Sequence, residues 1–331
     1  MKASVERGDL LKAMSRAQSI VERRTTIPIL ANVLIDASAG ALHLRTTDLD
    51  IEVVDKVVAN VEQEGTTTVG AHTLYEIVRK LPDGCSIQLM SDNVSSRLEV
   101  LAGRSRFSLA TLPRDDFPVM ASSEYECNFS IDSQILRRLF DKAKFAMSTE
   151  ETRYYLNGVY FHIAEIDSKK FLRTVATDGH RLAQIDGMPP ENSETMPGII
   201  IPRKTVSELR IILESNDNEI AVSVSETKVR FATSEMTLTS KVIDGTFPDY
   251  TRVIPVGNHK RLEVDAASFS QSVDRVSTIS SERARAVKLT LTNNKLILSV
   301  NSPESGAANE ELPVNYDDDS LEIGFNAKYL H

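Results

Sequence analysis

The sequence has no tryptophan and only two cysteines, Cys85 and Cys127, among its 331 residues. So few cysteines exclude a disulfide-rich secreted scaffold and are typical of a reducing compartment. We expect both to be small, buried apolar side chains. No stretch of 18 residues lacks a charge, and the N-terminus carries charges where a signal peptide would be apolar. These absences predict a cytoplasmic protein with no membrane segment.

Sequence signatures of common catalytic and cofactor sites are also missing. There is no G-x-x-x-x-G-K-[ST], G-x-G-x-x-G, G-x-S-x-G or C-x-x-C motif. The six histidines lack the spacing of metal ligands, and the acidic run at 317–319 is typical of a solvated turn. We therefore predict a protein that is not an enzyme and that holds no metal and no cofactor.

One pair of residues leaves a catalytic alternative open. Asp178 and His180 lie two residues apart and could act as an acid and a base in a hydrolase. The same stretch, with Gly179 between them, is also typical of a tight turn whose side chains bond to its own backbone. We favour the turn. The hydrolase alternative predicts that replacing His180 abolishes turnover.

The most informative pattern is a repeat of roughly 130 residues. Residues 3–17, 129–143 and 262–276 each have the pattern of a short strand that leads into an amphipathic helix. Their apolar positions match in register, as in the series Leu10, Leu136 and Phe269. The start of a second helix recurs at residues 69–74, 201–206 and 325–330, and a Phe-Pro pair follows an alternating strand at 117–118 and 247–248.

The repeat predicts an α+β protein of three like-folded domains, each with two helices and antiparallel sheets. The predicted domains span residues 1–123, 124–258 and 259–331. The third copy stops as its second helix begins, so we expect it to be incomplete at its C-terminus. Chance agreement between amphipathic helices is the alternative, although several elements recur in the same order.

The charge distribution bears on the choice of partner. A net charge of -9 and a pI near 5.3 argue against binding a polyanion. However, four of the five repeated helix segments carry more Lys and Arg than Asp and Glu. A basic set of helices with an acidic remainder can present a positive lining, while solvated helix faces are the simpler alternative.

Five motifs carry a resemblance to a known family. They occur in this order along the chain: TIPILAN at 26–32, GRSRFSL at 103–109, RYYLNG at 153–158, ATDGHRL at 176–182 and DGTFPDY at 244–250. With them the chain resembles the bacterial β sliding clamp, the processivity subunit of DNA polymerase III, over essentially its whole length. The resemblance implies the DNA clamp fold, a head-to-tail homodimer, helices that line a ring, and sheets outside.

The resemblance also implies site residues of three kinds. DNA-facing positions, where basic groups bind phosphate and tyrosines stack, are Lys12, Arg24, Arg153, Tyr154, Tyr155 and Lys204. The peptide-binding pocket comprises Leu156, Thr177, Gly179, His180, Arg181, Leu182, Pro248, Arg252 and Val253. The dimer interface comprises Ile77, Leu81, Phe107, Leu109, Thr278 and Ile279.

Two departures from the family pattern qualify these sites. The family completes the peptide pocket with its extreme C-terminus, which this sequence does not include, so we expect a weaker pocket in this chain. Where the family can place two bulky aliphatic residues at the dimer interface, this sequence has Thr278 and Ile279. The smaller apolar anchor predicts a ring that opens more readily.

Together these observations predict a ring that encircles duplex DNA, slides along it and tethers other replication proteins. The expected partners are duplex DNA, a second copy of the chain, the DNA polymerase III alpha subunit, the clamp loader, and other polymerases and repair proteins that carry short linear peptides. No membrane partner is expected. The alternative is a peptide-binding adaptor that does not encircle DNA.

Overall fold

The computed structural model describes residues 1–23, 25–91, 96–121, 124–214, 219–280 and 285–331. The chain divides into two compact units, Met1–Phe247 and Pro248–His331. The first unit contains two copies of the repeat, and the second contains the third copy. The predicted domain boundaries at 123 and 258 stay predictions.

Among its described residues, the first copy has two α-helices and nine strands. The helices are α1 (Arg7–Ile20) and α2 (Ala71–Lys80). The strands are β1 (Lys2–Glu6), β2 (Asn32–Ser38), β3 (Ala41–Thr47), β4 (Ile51–Val58), β5 (Asn60–Gln63), β6 (Gly65–Gly70), β7 (Ser86–Ser91), β8 (Arg97–Ala102) and β9 (Ser105–Ala110).

Among the described residues, the second and third copies repeat parts of this order. In the second, the helices are α3 (Ser133–Ala143) and α4 (Arg203–Glu214), and the strands are β10 (Cys127–Asp132), β11 (Gly158–Ile166), β12 (Lys169–Thr177), β13 (Leu182–Gly187), β14 (Ile199–Pro202), β15 (Glu219–Val224), β16 (Lys228–Ala232) and β17 (Met236–Lys241). The third has α5 (Ala266–Ser277), β18 (Ala286–Thr292), β19 (Lys295–Ser302), β20 (Gly306–Pro313), β21 (Leu321–Asn326) and α6 (Ala327–Leu330).

Strand pairing confirms that the three copies fold alike. The antiparallel order is β4-β3-β2-β6 in the first copy, β13-β12-β11-β14 in the second and β20-β19-β18-β21 in the third. A second strand order, β1-β7-β8-β9 in the first copy, recurs as β10-β15-β16-β17 in the second. Strand β5 adds to the first of these beside β1. The helices follow the predicted register, since α1, α3 and α5 bury the equivalent residues Met14, Phe140 and Val273. Phe269, the counterpart of the buried Leu10 and Leu136, is half-buried. The α+β class is therefore confirmed.

Two local predictions need correction. Residues 262–264 do not form a full strand, because their described backbone pairing is a single bridge between Glu263 and Asn315. The structure has Cys127 buried as expected, but Cys85 is half-buried at the edge of the first core. The strand was wrongly predicted at 262–264 because a strand requires hydrogen bonds to a neighbouring strand, and the local alternation of apolar residues does not show whether one is present.

The first two copies are joined by a continuous sheet, which we call the internal joint. Strand β17 of the second copy pairs antiparallel with β4 of the first, with Leu238 opposite Val53. Apolar side chains of the first copy, Ile20 among them, pack into the core of the second. Backbone pairing and apolar burial together make two repeats one compact unit.

Helix α1 is fixed to strand β4 by a buried ion pair. Arg16 donates from Nε to Asp55 Oδ1 over 2.8 Å, and Asp55 is almost completely buried. Burial raises the pKa of Asp55, although the attraction of Arg16 acts in the opposite direction. The second carboxylate oxygen, Oδ2, is buried without a hydrogen bond. The buried negative charge of Asp55 is therefore compensated mainly by the guanidinium group of Arg16.

Candidate nucleic-acid, peptide and self-association surfaces

The predicted DNA-facing cations on helices both have acidic neighbours. Lys204, in the first turn of α4, donates from Nζ to Asp48 Oδ2 over 2.5 Å and to the carbonyl oxygen of Ile20 over 2.9 Å. Lys12, on the exposed side of α1, lies 3.8 Å from Glu235. A phosphate that approached either ammonium group would therefore compete with a nearby carboxylate for its positive charge.

The other predicted DNA-facing residues that the structure describes lie on one short helix. A 3-10 helix spans Glu151–Leu156 and is interrupted at Arg153, whose φ of -107° and ψ of 52° are not helical. Tyr154 is exposed, and its ring meets that of Tyr155 edge to face at 5.8 Å. An exposed tyrosine such as Tyr154 can stack with a base or donate its hydroxyl group to a phosphate, whereas Tyr155 is half-buried. Arg24 lies outside the described residues.

The stretch 177–182 forms a closed turn between β12 and β13. Asp178 Oδ1 accepts the backbone N–H groups of His180 at 2.9 Å and Arg181 at 3.0 Å. Thr177 Oγ1 accepts the N–H of Gly179 and donates to the carbonyl oxygen of Arg181. Burial acts to raise the pKa of Asp178, but these backbone donors and the Arg181 guanidinium lower it overall.

The carboxylate of Asp178 is therefore used to hold the turn, and the turn interpretation is confirmed. Gly179 has φ +87°, a conformation that favours glycine. A Cβ atom added there would lie 2.7 Å from Nη1 of Arg153. The turn of the predicted peptide pocket thus contacts a predicted DNA-facing residue, which the sequence did not indicate.

The remaining pocket residues of the first unit differ in accessibility. Leu156 is only 4% exposed, whereas Leu182 is half-buried. Arg181 lies over the exposed ring of Phe145 at 5.3 Å, a cation–π contact that adds Phe145 to this surface. Leu156 is consequently part of the folded interior, and a substitution there would test stability as well as binding.

The pocket residues of the second unit lie at its N-terminal end. Pro248 is exposed, and Arg252 and Val253 are exposed on a 3-10 helix that spans Tyr250–Val253. Asp249 caps this helix by accepting the N–H of Thr251 at 3.2 Å. These side chains can contact a ligand without disturbing the local core.

The predicted self-association residues of the first copy form a groove. Ile77, Leu81 and Phe107 line a cavity of about 570 Å³ between α2 and β9. Leu109 lies two residues beyond Phe107, on the same face of β9, and β9 is an edge strand of its sheet. In the second unit, Thr278 is exposed just after α5, and Ile279 packs partly against the local core.

Sequence reasoning missed the carboxylates that accompany the basic residues. Asp48, Glu150 and Glu235 lie in turns or loops and were counted simply as part of an acidic remainder. The Asp-x-Asp spacing at 48–50 is a turn signal that could have drawn attention to Asp48. Its partner Lys204 is 156 residues away, so the pair itself was not predictable.

Metal-binding clusters and membrane-spanning helices are both absent from the described ranges. Within residues 1–23, 25–91, 96–121, 124–214, 219–280 and 285–331, no group of three or more His, Cys, Asp or Glu side chains is arranged to hold a metal ion. Over the same ranges, no helix is long and apolar enough to cross a membrane.

Comparison with known families gives matches along the chain. The family models for the DNA polymerase III beta subunit match in order: the N-terminal domain at residues 1–121, the central domain at 130–249 and the C-terminal domain at 251–331. The β sliding clamp of Caulobacter vibrioides is 50% identical over 330 residues, which cover 100% of this chain and 89% of that protein. The β sliding clamp of Escherichia coli is 39% identical over 331 residues and is covered to 88%.

Solved structures agree with these matches. A sliding clamp from Bartonella birtlesii bound to griselimycin has a TM-score of 0.96 at 49% identity, covering 100% of this chain and 88% of that one. The pol III beta structure from Caulobacter crescentus has a TM-score of 0.94 at 50% identity, with coverage of 100% and 89%.

Proposed function

Because the chain belongs to the DNA polymerase III beta subunit family, the bacterial β sliding clamps, we propose that two copies join head to tail around duplex DNA. The chain is a sliding clamp of DNA replication, a ring-type and non-catalytic processivity factor that works with DNA and DNA polymerase III. We further propose which residues close the ring, which contact DNA and which capture peptides, in a cytoplasmic protein.

The observation that carries the head-to-tail dimer is the internal joint. By strand order, β9 of the first copy corresponds to β17, and β20 of the third corresponds to β4. Because β17 pairs with β4 inside the chain, β9 of one protomer can pair with β20 of another in the same way. Both are edge strands, and an edge presents unpaired backbone groups to a partner strand.

The side chains of the internal joint support the same pairing. Leu209, Leu213 and Leu238, in the core that receives Ile20, correspond by repeat spacing to Ile77, Leu81 and Phe107. Ile20 itself corresponds to Ile279. The groove lined by Ile77, Leu81 and Phe107 is therefore a receptor for Ile279 of a second protomer. Exposed Arg104 and Arg106 near β9 and Glu304 near β20 add charges of opposite sign.

A hydrogen bond in the internal joint suggests one polar contact of the dimer. Ser19 donates from Oγ to Glu208 Oε2 over 2.7 Å, and the equivalent residues are Thr278 and Glu76. We propose that Thr278 of one protomer donates to Glu76 of the other. This hydrogen bond would partly offset the apolar contact area that is lost because position 278 is a threonine.

Lys12, Arg24, Arg153, Tyr154, Tyr155 and Lys204 are the proposed DNA contacts. The described cations among them have carboxylate neighbours, so their attraction for phosphate is moderated. A closed ring stays on DNA by topology and does not need strong contacts. Weak contacts allow the ring to slide, because each step breaks little interaction energy.

Retention on DNA tests the ring directly. The protein is loaded by its clamp loader and ATP onto nicked circular duplex, and the bound fraction is measured before and after one cut linearises the circle. We expect retention on the circle and release after the cut, because a ring can slide off an end. Persistence after the cut would mean that the protein grips DNA through contacts. The absence of any retention on the circle would favour an adaptor that does not encircle DNA.

We also propose that two sets of residues capture peptides: Leu156, Thr177, Gly179, His180, Arg181 and Leu182 in the first unit, and Pro248, Arg252 and Val253 in the second. Apolar side chains would bind the apolar residues of a short peptide, and Arg181 and Arg252 would bind its polar groups. The proposed ligands are linear segments of the polymerase III alpha subunit, the clamp loader, other polymerases and repair proteins. A shared pocket implies that these partners compete.

We expect Val253→Asp to weaken binding of a polymerase tail peptide at least about tenfold, because desolvating an unpaired charge against an apolar ligand is unfavourable. Val253 is 67% exposed, so the fold should tolerate the change, unlike a change at Leu156. Fluorescence anisotropy with a labelled peptide measures the effect. Val256→Asp is the matched control, since Val256 is 94% exposed in the same segment. Equal effects of both variants would contradict the assignment of Val253.

A further inference from the structure

The three described cations proposed to bind phosphate each have a carboxylate within 4 Å in the same protomer. Lys12 lies 3.8 Å from Glu235, Arg153 lies 2.7 Å from Glu150, and Lys204 lies 2.5 Å from Asp48. These pairs differ in accessibility, because the side chains of Glu235 and Glu150 are 70% and 51% exposed, whereas that of Asp48 is 16% exposed. Water screens the first two pairs most strongly.

The carboxylate of Asp48 is also fixed in place. Its Oδ1 accepts the backbone N–H groups of Asp50 at 3.0 Å and Ile51 at 2.7 Å. These bonds close the turn between β3 and β4, in which Leu49 has φ +80°. The other oxygen, Oδ2, remains directed at Lys204. Little side-chain entropy is lost in this pair, because the turn already orders the carboxylate.

Lys204 is held by a second acceptor as well. Its Nζ donates to the carbonyl oxygen of Ile20, the last residue of α1. Helix C-termini carry partial negative charge, so this acceptor also favours the ammonium group. Two of the three ammonium donors are thus used within the protomer, while the side chain keeps 38% of its surface exposed.

We propose that Asp48 is an internal competitor for phosphate at Lys204, and that it sets how strongly the ring grips the DNA backbone. A phosphate that approaches the ammonium group meets the negative charge of Asp48 well inside the screening length of about 8 Å at physiological salt. Lys204 therefore guides the backbone without binding it firmly. This inference rests on the proposed placement of Lys204 at the DNA.

Asp48→Asn separates the charge of Asp48 from its role in the turn, because asparagine keeps an oxygen that can accept the two N–H groups. Affinity for short linear duplex is measured by anisotropy over a range of salt concentrations. We expect roughly threefold to tenfold tighter binding, and a salt dependence steeper by about 0.9 for one additional phosphate contact. Diffusion of loaded rings along stretched DNA should slow in parallel.

Asp50→Asn is the matched control. It removes the same charge two residues away, from a 73% exposed carboxylate that lies 3.1 Å from Lys241. An equal gain in this variant would show a general charge effect and would overturn the inference. The gain of Asp48→Asn should disappear when Lys204→Gln is added, and a gain that persists without Lys204 would also overturn it. So would an unchanged affinity of Asp48→Asn.

Lys204→Gln is compared in the native protein and in Asp48→Asn, because in the native protein it also leaves the charge of Asp48 uncompensated. A moderated Lys204 predicts a larger loss of duplex affinity in the Asp48→Asn background than in the native one. An equal loss in both backgrounds would show that Asp48 does not compete for the ammonium group, which contradicts the inference. The ring proposal is tested independently of Asp48, by release of the native protein from circles after they are linearised. Failure of that release would count against the ring and not against the role of Asp48.

Discussion

Phe107→Asp should convert the proposed ring into monomers and abolish its retention on circular DNA. Phe107 lines the groove that we propose receives Ile279, and its counterpart Leu238 is completely buried in the internal joint. A carboxylate in that position would lose hydration without gaining a partner, at a cost of several kcal/mol. We expect the dimer dissociation constant to rise about a thousandfold, which corresponds to about 4 kcal/mol.

Analytical ultracentrifugation over a range of concentrations measures the dimer directly, and the nicked-circle assay reports its functional loss. Ser108→Asp is the matched control, because Ser108 is exposed on the opposite face of β9 and receives the same charge. Circular dichroism establishes whether Phe107→Asp keeps its fold, since Phe107 is half-buried in the first copy. A folded Phe107→Asp dimer of native affinity would remove the groove from the proposed interface.

Much of the fold could be predicted because the sequence repeats itself. Agreement among three copies distinguishes a structural position from a coincidence, as for Leu10, Leu136 and Phe269 at equivalent helix positions. The strands between the helices alternate strongly enough to be found, as in β3 and β19. What repetition cannot reveal is how copies join. The pairing of β17 with β4 links residues far apart in the sequence and has no local signature.

In the candidate sites, contacts between residues close in the sequence were predictable, whereas contacts between distant residues were not. The turn around Asp178 was predictable because its hydrogen bonds connect residues within four positions of each other. The contact of Arg153 with Gly179, and the pairing of Lys204 with Asp48, depend on the folded chain. Motifs could therefore nominate the basic residues, but the carboxylates that moderate them became visible through tertiary structure.

Ion pairs within the first unit also show how basic helices coexist with an acidic protein. Some basic residues of the helices form ion pairs within the protein. Arg16 pairs with Asp55, and Lys204 pairs with Asp48. Counting basic residues on a helix thus overestimates the charge available to phosphate. The pair of Arg16 and Asp55 is the extreme case, because both side chains are largely buried and face each other.

Arg16→Met should destabilise the protein by roughly 3–5 kcal/mol, because it leaves the buried carboxylate of Asp55 without its partner. The free energy of unfolding is measured in urea by circular dichroism. Lys12→Met is the matched control on the same helix, and its exposed pair with Glu235 should contribute less than about 1 kcal/mol. Similar losses in the two variants would show that Asp55 does not depend on Arg16.

The pH dependence of this loss follows from the raised pKa of Asp55. Since the folded state binds the Asp55 proton more tightly than the unfolded state does, this group lowers stability as the pH rises through its folded pKa. Removing Arg16 removes an attraction that opposes the rise, so the pKa should move further upward. The loss should be greatest near neutral pH and should shrink on acidification, because protonation removes the uncompensated charge.

Arg16→Met combined with Asp55→Leu should recover most of the lost stability, because an apolar pair needs no charge compensation. A loss that is independent of pH and is not recovered in the double variant would mean that Arg16 acts through packing alone.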